Sequence, residues 1–95
     1  MFEQEPTAPQ THEVDTVGDF EQIIRGMKRF ALLPYAHDLA DGDLLSFKEY
    51  DNKAQMYTGR IVTGRVTYVT SVDNHCALSP DALNPDVCIA SFELI

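Results

Sequence analysis

The chain has 95 residues, 44% hydrophobic and 23% charged, the balance of one ordinary globular domain with a modest core. Fifteen Asp and Glu against seven Lys and Arg give a net charge of −8, which works against binding a polyanion unless the few cations are concentrated. No apolar run reaches membrane-spanning length, the start lacks the basic and apolar regions of a secretory signal, and two cysteines, Cys76 and Cys88, are too few for a disulfide framework. A cytoplasmic protein with reduced thiols is the expectation.

Residues 1–10 are polar, contain Pro6 and Pro9 and show no periodicity, so they read as a flexible tail before a single domain over 11–95. Residues 11–17 alternate weakly around Val14 and suit a first short strand. Asp19 then stands as a helix N-cap with Gln22 in a capping-box relation. Phe20, Ile23, Ile24 and Met27 follow at the spacing of one apolar helical stripe. Glu21 near the start, and Arg25, Lys28 and Arg29 near the end, suit the helix dipole. Gly26 helps to stop the helix.

Phe30-Ala31-Leu32-Leu33 reads as a short buried strand halted by Pro34. A loop over 35–40 and a turn at Asp41-Gly42-Asp43 lead into a hairpin. Its first arm is 44–50, its connection 51–56 and its second arm 57–69, rich in Val, Ile, Thr and Tyr. On that arm Val62, Gly64, Val66 and Tyr68 are predicted to face inward, opposite Ile61, Thr63, Arg65, Thr67 and Val69. Gly64 marks a bulge or sharp bend in a curling sheet. A polar stretch over 70–86 precedes a last strand, 87–95, expected to close the sheet. One helix and several strands give an α+β fold, a small curved β-sheet or β-barrel with one main N-terminal helix.

The order of these elements resembles the ASCH-related, PUA-like superfamily, and within it a small branch of uncharacterised domains frequent in bacteriophage and prophage genomes. The resemblance runs from about His12 to the C-terminus. It is carried by His12 and Phe20, by Gly26-Met27-Lys28-Arg29-Phe30, by Gly42-Asp43, by Glu49-Tyr50-Asp51, by Tyr57-Thr58-Gly59-Arg60 and by Val66-Thr67-Tyr68-Val69. The chain departs from the pattern where the family places a Glu, an Arg and an Asn-Asp-Arg-like run. Ala31, Leu33 and Tyr35-Ala36-His37 stand there, and Asp15 takes the place of a Lys. The site that the resemblance implies is therefore reduced to Lys28, Glu49, Tyr57, Thr58 and Arg60, with His37 and His12 as neighbours.

Three functions follow from these residues. The resemblance implies a binding module for RNA or a nucleotide-like ligand. Lys28, Arg60 and Arg65 would meet phosphates, and Tyr35, Tyr57 and Tyr68 would stack bases. A phage-encoded acidic protein that binds or inhibits a host protein, by mimicking nucleic-acid charge, is the alternative, with Asp38, Asp41 and Asp43 as an acidic edge. Some ASCH-type proteins resemble amidohydrolases acting on acylated cytidine, and Lys28, Thr58 and Glu49 would be base, nucleophile and proton shuttle. Lys28 at a helix end and Glu49 beside Lys48 or Arg60 also have purely structural roles, so a non-catalytic module is the expectation. No cofactor is implied. His75, Cys76 and Cys88 lack paired metal-ligand spacing.

Overall fold

A computed structural model describes residues 9–34, 39–71 and 86–95. The chain forms β1 (Thr11–Thr16), α1 (Phe20–Ile24), β2 (Phe30–Leu33), β3 (Leu44–Asp51), β4 (Met56–Thr70) and β5 (Cys88–Leu94). The strands build one mixed sheet in the order β1-β3-β4-β5-β2, curled into a half-barrel. The fold is mostly β, with a single short helix among the described residues. Most of the expected tail, the 35–38 part of the loop, and His75 and Cys76 lie outside the described residues.

The hairpin is as expected. β3 pairs with β4 from Leu44↔Arg65 to Asp51↔Met56. Its turn is held by the Asp51 carboxylate, which accepts the Lys53 and Ala54 amides at 2.9 and 3.1 Å. β1 lies parallel to β3, an arrangement that requires a crossover connection; α1 and β2 supply it. β5 does not close the sheet. It runs antiparallel between β4 and β2, so β1 and β2 are the two edges. Asp15 and Thr16 of one edge and Phe30 and Leu32 of the other line a cleft of about 160 Å³.

The core lies on the inner face. Leu45, Phe47, Val66, Cys88, Ala90 and Phe92 of the sheet meet Phe20 and Ile23 of α1. The rings of Phe47 and Phe92 stand 4.7 Å apart. Cys88 is a free, fully buried thiol, and burial raises its pKa.

Four expectations are corrected here. The apolar stripe does not run to Met27, which is 72% exposed. The helix ends in a Schellman motif, with Gly26 at φ +75° and the Gly26 and Met27 amides bonded to the Ile23 and Gln22 carbonyls. Asp19 makes no side-chain cap bond, and the basic residues follow the helix instead of filling its last turn. β2 is buried on one face only, with Ala31 and Leu33 inward and Phe30 and Leu32 outward.

The bulge expected at Gly64 lies elsewhere. Pairing is continuous through Gly64, and the β4–β5 register shifts between Val66 and Tyr68. An inserted residue at a bulge flips every later side chain. Val69 therefore packs on the core while Tyr68 faces outward, the reverse of the alternation expected.

Candidate functional site

The expected site residues separate into distinct places. Glu49, Thr58 and Arg60 come together where β3 and β4 lose register. Lys48 pairs with Ile61 and Tyr50 with Tyr57, so Glu49 alone opposes Thr58, Gly59 and Arg60. Gly59 sits at φ +95°, a conformation that glycine adopts at little steric cost. This bulge turns the flanking side chains onto one carboxylate.

Arg60 donates to both Glu49 oxygens at 2.9 Å, and the Thr58 hydroxyl donates to Oε1 at 2.8 Å. The same guanidinium reaches Glu21 of α1 at 3.3 Å and lies 4.8 Å from the Phe20 ring centre. Arg60, and then Thr58, hold the Glu49 carboxyl below its ordinary pKa. Glu49 in this state is a weak proton acceptor, and the Thr58 hydroxyl is bonded to a carboxylate that stays charged. The group works as a clasp between the hairpin and the helix.

Lys28 is not in this cluster. Its ammonium bonds Asp19 at 2.5 Å and lies 5.3 Å from the Phe30 ring centre. The Lys-Thr-Glu set needed for acyl transfer is thus divided between two places. Tyr57 is on the outer face, where its hydroxyl donates to Asp15 at 2.9 Å and its ring meets Tyr50 edge-on at 5.1 Å. The Asp15 carboxylate raises the Tyr57 pKa. Lys48 beside it bonds Glu13 at 2.9 Å.

Of the expected acidic edge, Asp38 lies outside the described residues, as does His37. Asp41 is exposed. Asp43 is buried. It accepts from the Gln10 and Ala40 amides at 3.2 and 3.1 Å and bonds His12 Nε2 at 2.9 Å, tying the start of β1 to the turn before β3.

A cleft of about 300 Å³ opens between the end of α1 and β5. Ile23, Phe92 and Leu94 give it an apolar wall, while Arg25, Lys28 and Arg29 line its basic side. Among the described residues Glu93 is the one acid lining it, while Asp19 bonds the Lys28 ammonium beside it. Arg25 is tied to Glu21 at 3.3 Å. Arg29 donates through Nε to the Gly26 carbonyl at 3.0 Å. The basic triplet was visible in the sequence; the wall supplied by Phe92 and Leu94 was not, because it comes from the far end of the chain.

Among the described residues no group of three His, Cys, Asp or Glu is placed to hold a metal ion, and no helix is long and apolar enough to cross a membrane. No curated protein matches the chain. The family match covers residues 11–83, from β1 through β4. The chain belongs to the family described as a domain of unknown function, DUF3850.

Proposed function

We propose that the domain is a non-catalytic binding module for RNA or a nucleotide-like ligand, held in the basic cleft between α1 and β5. The observation that carries this is charge placement. In a chain of net charge −8 with seven Lys and Arg, three of those cations line one cleft with an apolar wall. Apolar surface suits a base, and cations suit its phosphate. The cleft volume of about 300 Å³ is at the small end for ligand sites.

We also read the domain as ASCH-related and PUA-like, of the branch frequent in bacteriophage genomes. The half-barrel sheet and the order of the motifs support the relationship. A cytoplasmic setting goes with it, and the buried free thiol of Cys88 suits a reducing compartment.

The test is fluorescence anisotropy with a labelled oligoribonucleotide of about ten nucleotides at low salt. The Arg25→Ala/Arg29→Ala variant is expected to bind about tenfold more weakly or worse. Lys48→Ala/Lys53→Ala, which removes the same charge away from the cleft, is expected to bind like the wild type. Equal loss in both variants, or no binding by the wild type, overturns the proposal.

A further inference from the structure

Lys28 and Arg25, two of the cations on the cleft, are held by acids of the same chain. Asp19 stands at the N-cap of α1 yet makes no side-chain cap bond. Its carboxylate accepts from the Lys28 ammonium at 2.5 Å instead. Glu21, in the first turn of α1, meets Arg25 four positions on at 3.3 Å. The short helix permits the longer of these two reaches. The Met27 and Lys28 amides both bond the Gln22 carbonyl, at 2.9 and 3.1 Å, so the backbone folds back at Gly26 and returns Lys28 towards the start of α1.

Both pairs are open to water. The side chains of Lys28 and Asp19 are 29% and 33% exposed, and those of Arg25 and Glu21 are 66% and 44% exposed. Ion pairs this accessible contribute little to stability, and a carboxylate released from one is rehydrated. Glu21 also has a second cation. Its Oε2 meets Arg25, while its Oε1 accepts from both terminal nitrogens of Arg60 at 3.3 Å. Taking Arg25 away therefore leaves Glu21 paired on the hairpin side.

We propose that Asp19 and Glu21 are built-in competitors of the ligand, each holding a cation that a phosphate of the ligand must take over. This rests on the nucleotide or RNA reading of the cleft and names the residues that regulate it. Carboxylate and phosphate oxygens accept from the same ammonium and guanidinium groups, so one can replace the other. An uncharged ligand offers nothing in exchange and leaves both pairs closed. The two acids thus set the affinity of the cleft and favour ligands that carry phosphate. They act through Lys28 and Arg25 and are positioning residues.

The test is anisotropy with the labelled oligoribonucleotide at low salt, using Asp19→Asn and Glu21→Gln, which keep side-chain size and remove one charge each. Circular dichroism confirms that each variant is folded. Each is expected to bind about two- to fivefold more tightly than the wild type, and the double variant about tenfold. Glu13→Gln/Asp51→Asn, which removes two charges outside the cleft lining, is expected to bind like the wild type. The gain from Glu21→Gln is expected to vanish in an Arg25→Ala background, and that from Asp19→Asn in a Lys28→Ala background. Gains that survive in those backgrounds, or that Glu13→Gln/Asp51→Asn reproduces, overturn the inference by making the effect one of net charge. Unchanged or weaker binding by Asp19→Asn/Glu21→Gln, with loss in Arg25→Ala/Arg29→Ala, overturns it and leaves the cleft standing. No binding by the wild type overturns the cleft reading and this inference with it.

Discussion

Gly64 is glycine for want of space. A Cβ built there would stand 2.8 Å from Cδ1 of Phe92, and the ring sits in the core between β4 and β5. We expect Gly64→Ala to cost about 1–3 kcal/mol in urea unfolding, the usual range for overpacking a core. In a Phe92→Leu background the added cost of Gly64→Ala should shrink. The same cost in both backgrounds would place the strain elsewhere. Asp43 poses a different problem, a buried carboxylate that must stay charged. Burial pushes its pKa up, but the His12 imidazole and the Ala40 and Gln10 amides outweigh burial and leave it below the ordinary 3.8. A depressed carboxyl contributes stability that is present above its unfolded value and lost as pH falls through its folded value. The wild type should therefore lose stability on acidification below about pH 4 more steeply than Asp43→Asn, as read from urea midpoints. Parallel curves would show that Asp43 is not the titrating group.

At the scale of elements, the strands were legible and their faces only partly so. The alternation of residues 44–50 and 57–69 gave the hairpin directly, and Val14 marked β1. Tyr68 and Val69 were read on the wrong faces because one irregularity after Val66 inverts the pattern, and no single residue there announces it. The apolar run 30–33 looked fully buried, yet an edge strand of a half-barrel needs only one apolar face. The helix was read too long because Met27 continues the 3.6 period. Gly26 stops the backbone before that residue reaches the core. Thr58-Gly59-Arg60 was legible as a motif. Its geometry, three residues opposing the single Glu49, depends on pairing across the hairpin. The Arg60 bond to Glu21 spans 39 positions, a separation at which sequence spacing carries no signal.

Taken as a whole, the molecule is acidic but not uniformly so. Arg25, Lys28 and Arg29 gather at the end of α1, where Glu21 and Asp19 pair with the first two. Glu13 and Glu49 toward β1 and β3 are paired in turn with Lys48 and Arg60. In a protein of net charge −8, binding a polyanion at this cleft requires Arg25 and Lys28 to exchange their carboxylate partners for phosphates. Such an exchange makes affinity fall as salt rises. The most direct measurement is the affinity of the wild type for a single-stranded oligoribonucleotide as a function of salt concentration. When Arg25 and Lys28 give up Glu21 and Asp19 and join Arg29 in neutralising three phosphates, the slope of log K against log salt is about −2, and it should move toward about −0.7 in Arg25→Ala/Arg29→Ala. A wild-type protein that fails to bind at low salt, or binds with a slope unaffected by that double substitution, would contradict the basic cleft as the ligand site.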